Sequence, residues 1–234
     1  MPNDTTHPLD AWTSVCSEPS DAGLCGPGRR AAGEDPRKRD QILEGAKRVF
    51  MKAGFDAATM NDITREAQVS KGTIYVYFNN KEDLFVALIE RERARLVARI
   101  RSALSGDGPV EENLHNFGRA FATHVLSPGS VYAMRTVIGV IDRMPKLAAN
   151  FFTTGPESVR SVIESYLTAR VAAGQLAIDD IPLAALQFLE LSTAGLYKRR
   201  LFGNIEKEVP EEDMLKTVKS AVRVFLAAYD ARKD

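Results

Sequence analysis

Between Lys71 and Lys81 the chain sets a lysine, a glycine, a threonine, two tyrosines and a second lysine within eleven residues. The hydroxyls of Thr73, Tyr75 and Tyr77 can donate to phosphate oxygens, Lys71 and Lys81 can neutralise them, and Gly72 allows a close backbone approach. An ordinary solvated helix face carries Glu, Lys and Gln instead, so this face points to a DNA backbone and the base edges beside it. Lys71, Gly72, Thr73, Tyr75 and Val76 are expected to face bases or nearby backbone, and Thr59, Asn61, Tyr77 and Lys81 to hold phosphates. Lys81 falls in the first turn of a helix, where a cation is electrostatically disfavoured, and a phosphate opposite it is the expected reason.

Three short helices must carry these groups. Thr59 with Asp62, Ser70 after Gln68-Val69, and Asn80 with Asp83 are side chains that accept from the orphan amides of a helix start. Helices therefore begin near 60, 71 and 81, and only a turn separates the first two. Ile63 and Ala67, then Ile74 and Phe78, are the inward i, i+4 pairs. Upstream, Ile42, Ala46, Val49, Phe50 and Ala53 keep a helical period until Gly54 stops it, and Phe55 and Met60 seal the core. Ahead of that helix Arg29, Arg30, Arg37, Lys38 and Arg39 read either as a basic arm for a minor groove or as a solubilising cluster.

Residues 38–90 resemble the DNA-binding domain of the TetR family of transcriptional regulators, most closely in Val69-Ser-Lys-Gly-Thr-Ile-Tyr-Val-Tyr-Phe-Asn-Asn-Lys-Glu-Asp-Leu84. Met144 to Pro156 and Gly174 to Asp180 are similar to the AefR-like subgroup of C-terminal domains. The resemblance implies an all-α chain: a three-helix helix-turn-helix domain over 37–83, and a larger helical effector-binding and dimerisation domain over 84–234. It implies a homodimer on a palindromic operator of double-stranded DNA, repressing transcription until a small, apolar or amphipathic effector shifts the long helix that begins near Asn80. Activation of transcription, or compaction of DNA without operator preference, are the alternatives.

Charge is silent at the level of the whole chain, with 31 basic and 31 acidic residues. Residues 1–36 carry net −4, while 37–83 and 84–234 carry +2 each, so affinity must come from local placement of Lys47, Arg48, Lys71 and Lys81 and from a dimer doubling every contact. Proline, glycine and acidic residues interrupt every apolar run of 1–36, which reads as a disordered tail holding both cysteines, Cys16 and Cys25. The tail lacks the pattern of a secretory signal, and the longest uncharged run, Ala120 to Met134, is too short for a bilayer, so a cytoplasmic protein without membrane contact is expected. With three histidines, no metal-spaced cluster, no glycine-rich phosphate loop and no nucleophile elbow, neither cofactor, metal nor enzymatic activity is expected.

The remaining chain reads as helices over 84–106, 110–126, 129–143, 156–173, 181–202 and 210–231. Helix 181–202 is apolar nearly all round, and 210–231 carries a long stripe. The resemblance implies that these two pair with their copies as a four-helix bundle through Leu186, Leu189, Leu215, Val218, Val222 and Phe225; burial within one subunit is the alternative. Effector-lining candidates are Phe117, Phe121, His124, Tyr132, Met134, Arg135, Phe151, Phe152 and Gln187, an apolar set with a few polar anchors; for the aromatics the competing reading is plain core.

Overall fold

The computed structural model describes residues 35–104, 108–142, 158–205 and 208–231. Arg29, Arg30, Cys16, Cys25, Phe151, Phe152 and all of the proposed tail but Asp35 and Pro36 lie outside them, and Pro36 already belongs to the first helix. Pro36–Asp234 is one compact unit. Among the described residues there are ten helices and an isolated bridge between Leu176 and Asp230. No helix there is long and apolar enough to cross a membrane.

The helices are α1 (Pro36–Ala53), α2 (Met60–Glu66), α3 (Lys71–Tyr77), α4 (Lys81–Leu104), α5 (Val110–Val125), α6 (Pro128–Val140), α7 (Val159–Ala172), α8 (Ile181–Ser192), α9 (Leu196–Leu201) and α10 (Glu211–Tyr229). The predicted caps form. Thr59 and Asp62 make a reciprocal capping box, the Ser70 hydroxyl accepts from the Thr73 amide, and Asn80 Oδ1 accepts from the Asp83 amide at 2.7 Å. Gly54, at φ 84°, ends α1. Ala53 is exposed, because the inward stripe is complete at Phe50 once the chain turns there.

One expected helix is two. The run over 181–202 breaks at Thr193-Ala194-Gly195, where Gly195 adopts φ 74° and α9 starts in a new direction. Ser192 and Thr193 are buried, and the helix ends where the exposed Ala194 and the left-handed Gly195 follow them.

Two larger cores and a small one result. Ile42, Phe50, Phe55, Ile63, Ile74 and Phe85 are all buried in the N-terminal core, and Val137 and Val140 of α6 join it. The rings of Phe50, Phe55 and Phe85 pack mutually, tilted or edge to face, with centroids 5.0–5.6 Å apart. The second core is built from α4, α5, α7, α8 and α10 around Phe117, Phe188 and Phe225. Close crossings need glycine twice. A Cβ on Gly45 would lie 2.6 Å from Ala67 Cβ and 2.7 Å from its Cα, and one on Gly118 would lie 2.8 Å from Val218 Cγ1.

Candidate nucleic-acid interface

The helix-turn-helix unit is α2, a four-residue turn and α3. In the turn Gln68 takes φ 53°, and the Gln68 and Val69 amides donate to the carbonyls of Arg65 and Thr64. Ile63, Ala67, Ile74 and Phe78 all point inward as predicted. Burying those four fixes which side of α3 is left in solvent: Lys71, Gly72, Tyr75 and Val76. The last two are 45% and 50% exposed, large values for apolar surface on an ordered helix. Lys71 makes no hydrogen bond or ion pair among the described residues. A Cβ on Gly72 would meet nothing nearer than Ser70 Oγ at 3.9 Å, so its own fold gives no reason for glycine there.

Other predicted contacts are spent inside the chain. Thr73 is half-buried and its hydroxyl sits 2.7 Å from that of Ser70; Tyr77 is half-buried against the N-terminal core. The Thr59 hydroxyl donates to Asp62 Oδ2 at 2.6 Å and its amide bonds the same oxygen, so Thr59 is a cap with no proton left for a phosphate. Those bonds, chiefly the hydroxyl's, hold the Asp62 carboxyl below its ordinary range. Asn61 is exposed, as is Arg37.

Lysine and arginine placement departs most from expectation. Lys81 Nζ donates to the carbonyls of Phe55, Asp56 and Ala58 at 2.9, 2.9 and 3.3 Å, and lies 4.8 Å from the centroid of the Phe55 ring. The reason given for a phosphate opposite Lys81 therefore fails: three carbonyls already compensate its position in the first turn of α4. Lys47 pairs with Glu92 at 3.1 Å, and Arg48 pairs with Glu66 and donates to the Glu66 carbonyl. Lys38 donates to Gln41 Oε1, and the Arg39 guanidinium stands 5.4 Å over the Phe78 ring.

Gln41 and Gly45 of α1 were not singled out by sequence reasoning, and Arg48 was read only as a cation for DNA. Gln41 Nε2 donates to the Ala67 carbonyl at 2.7 Å, Arg48 reaches the Glu66 carbonyl, and Gly45 lets α1 touch Ala67 between them. Together they cap the C-terminus of α2, whose carbonyls would otherwise lack partners. Their i, i+4, i+7 spacing on one face of α1 was the available signal. A second missed feature ties α1 to α4: Arg91, nearly buried, bridges Asp40, Glu44 and Glu92, and Arg95 bridges Glu44 and Glu92. Burial would raise the Glu92 carboxyl, but Lys47 and Arg91 outweigh it and leave Glu92 below its usual value.

Among the described residues, the predicted effector candidates do not converge. Phe117 is buried in the second core with Phe121 stacked on it at 6.2 Å, the packing that the core reading of the aromatics describes. Tyr132 packs on the N-terminal core with its hydroxyl buried and unpartnered among the described residues. Arg135 donates to the carbonyls of Leu201 and Arg200 at 2.7 and 2.9 Å, capping α9 rather than facing a cavity. Met134 is half-buried on α6, and Gln187 is exposed on α8, accepting from the Tyr229 hydroxyl. Burial lowers the His124 pKa, so the neutral imidazole is favoured.

The predicted interface residues divide in two. Val218, Val222 and Phe225 are buried within the subunit, Phe225 with its ring 5.1 Å from Phe188, which corrects their assignment to a dimer contact. Leu186 is 41% exposed, and Leu189 and Leu215 are half-buried. Beside them Leu183 and Val224 are exposed at 49% and 46%, and a groove between α8 and α10 is lined by Leu191, Ala194, Lys216, Thr217, Ser220 and Val224.

With this geometry in place, the relatives fall into one group. The AefR-like transcriptional repressor C-terminal domain matches residues 112–231, and the tetR family of bacterial regulatory proteins matches residues 42–88. The chain is 27% identical over 143 residues to the HTH-type transcriptional repressor KstR of Mycolicibacterium smegmatis, spanning 57% of this chain and 70% of the relative. A TetR-family regulator from Mesorhizobium loti has the same fold, with TM-score 0.76 and 24% identity over 83% of this chain and 97% of that one. The flavonoid-responsive regulator FrrA superposes with TM-score 0.64 and 29% identity, over 85% of this chain and all of that one. The chain therefore belongs to the TetR family, whose members bind DNA, and is a regulator of transcription rather than an enzyme.

Proposed function

We propose that this regulator is a homodimeric repressor that reads a palindromic operator with α3 and lets go when a small effector binds its helical body. The observation that carries the reading is the exposed face of α3. Lys71, Gly72, Tyr75 and Val76 combine charge, hydroxyl and apolar contact, and Gly72 has open space around it that only an outside partner would use. Lys71 and Asn61 would meet phosphates, Tyr75 and Val76 base edges, and Arg37 the neighbouring groove.

Dimerisation is supported by Leu183, Leu186 and Val224, which leave apolar surface exposed on α8 and α10, and by the groove that Val224 shares with Leu191, Lys216 and the small residues Ala194, Thr217 and Ser220. A second copy of the same surface, related by a two-fold axis, would cover it. Two α3 helices held about 34 Å apart would then match successive major grooves.

The effector reading rests on α6. Its Val137 and Val140 enter the N-terminal core, its Arg135 holds α9, and its Tyr132 hydroxyl is buried without a partner among the described residues. A ligand displacing α6 would press on α4 and on the N-terminal core together, altering the α3 separation. A flavonoid, the class to which the neighbour FrrA responds, is the first to screen.

The test is fluorescence anisotropy of the full chain on tiled duplexes from its own promoter and on scrambled DNA at near-physiological salt. Preference for one palindromic tile by roughly a thousandfold or more would be the repressor result. Equal binding to every promoter tile and to scrambled DNA would defeat the operator-specific reading in favour of compaction.

A further inference from the structure

We propose that Lys81 is a positioning residue that closes the helix-turn-helix unit into a ring, so that the first residue of α4 controls both ends of the unit at once. The inference rests on the operator-binding reading above. One end is covalent: α3 finishes at the Phe78 cap, and only Asn79 and Asn80 separate it from α4. That link is stiffened where Asn80 Oδ1 takes the Asp83 amide and Asn79 Nδ2 donates to Asp83 Oδ2 at 3.0 Å. The other end is the Lys81 ammonium on the carbonyls of Phe55, Asp56 and Ala58, the turn that ends one residue before Thr59, the cap of α2.

The chemistry is matched in number. An ammonium carries three N–H donors, and three carbonyl oxygens take them. None is left over for a phosphate while the turn is in place. The Phe55 ring beneath the ammonium is itself wedged between Phe50 of α1 and Phe85 of α4, so the floor of the site belongs to the same two helices that the Arg91 cluster joins. Without the tie, a displacement of α4 would drag α3 through the backbone and leave the start of α2 behind. With it, α2 and α3 move as one body. Lysine suits the role because its charge is a compact point on a flexible stem; the planar fork of arginine cannot bring three donors to one spot.

Two variants of the full-length protein test this, Lys81→Met and Lys81→Arg, by amide exchange and by DNA binding as a function of salt. Lys81→Met keeps the aliphatic stem over Phe55 and removes the donors. It is expected to speed exchange over residues 55–63 by at least about tenfold, with a smaller change over 71–77, and to weaken the selected operator tile by a similar factor. Its salt slope on scrambled DNA should equal that of the unaltered protein. Lys81→Arg, which keeps a charge for any phosphate, should show the same loosening of 55–63 and a weakened operator. A Lys81→Met slope lower by about one per protomer with unchanged exchange would overturn the proposal, because that is the mark of a lost phosphate contact. So would a Lys81→Arg protein with unaltered exchange and affinity. If the unaltered protein prefers no tile, the operator reading falls, while exchange and salt slope still decide the role of Lys81.

Discussion

Large apolar side chains are exposed at several places among the described residues, and two of these, α3 and the α8–α10 face, are built differently. On α3, Tyr75 and Val76 stand among Lys71 and Gly72, so apolar contact is mixed with charge, a hydroxyl and bare backbone. On α10, Val224 shares a groove with Leu191, Ala194, Lys216, Thr217 and Ser220, and Leu183 and Leu186 stand exposed on α8, a surface of mostly aliphatic and small groups with one lysine. A groove edge of DNA offers acceptors, donors and methyl groups in a fixed pattern, whereas a second protein copy offers another apolar surface. Similar exposure thus marks different partners, and the residues between the apolar groups tell them apart.

The largest expected effect sharpens the contrast from below. Phe225 lies on the buried side of α10, against Phe188 and Tyr229. Phe225→Ala should cost about 3–5 kcal/mol in denaturant unfolding. A loss under 1 kcal/mol would mean that the side chain is not core. Next, Leu186→Glu with Val224→Glu should leave helicity intact, shift sedimentation to the monomer, and weaken operator binding by at least about tenfold. Persistence of the dimer would move the interface elsewhere.

A smaller effect is expected from Val76→Ala, which should change the ranking of operator variants by about 1–3 kcal/mol at one base position while leaving binding to scrambled DNA unchanged. Uniform loss on all sequences would make Val76 a backbone contact instead. The smallest is a pH effect. Because burial depresses the His124 pKa, the unfolded chain binds a proton that the folded chain resists, so stability falls as pH drops below the unfolded value of about 6.5. His124→Gln should flatten that part of the stability curve; an unchanged slope would assign it to other groups.

How much was legible depended on the distance between partners. The caps at Thr59, Ser70 and Asn80 and the inward pairs of α2 and α3 were readable because each answers to neighbours three or four residues away. The acceptors of Lys81 were not readable for the opposite reason: they are 23 to 26 residues upstream, and only folding brings them together. The α10 stripe was real, but a stripe says that a face is covered and not by what; Val218, Val222 and Phe225 are covered by their own subunit. The effector residues were the least legible. A pocket has no period, and the described candidates distribute among two cores, a helix cap and the surface.

The presence of Val137 and Val140 in the N-terminal core bears on modularity. The DNA-reading part of this regulator borrows two side chains from a helix some fifty residues beyond its own end. A chimera that joined it to another regulator's body would therefore inherit its sequence preference only if the recipient's sixth helix supplied the same two methyl-rich side chains at the same place. Otherwise the graft would open a hole in the N-terminal core. Recombination within the family would then favour crossovers that keep that helix with the head it seals.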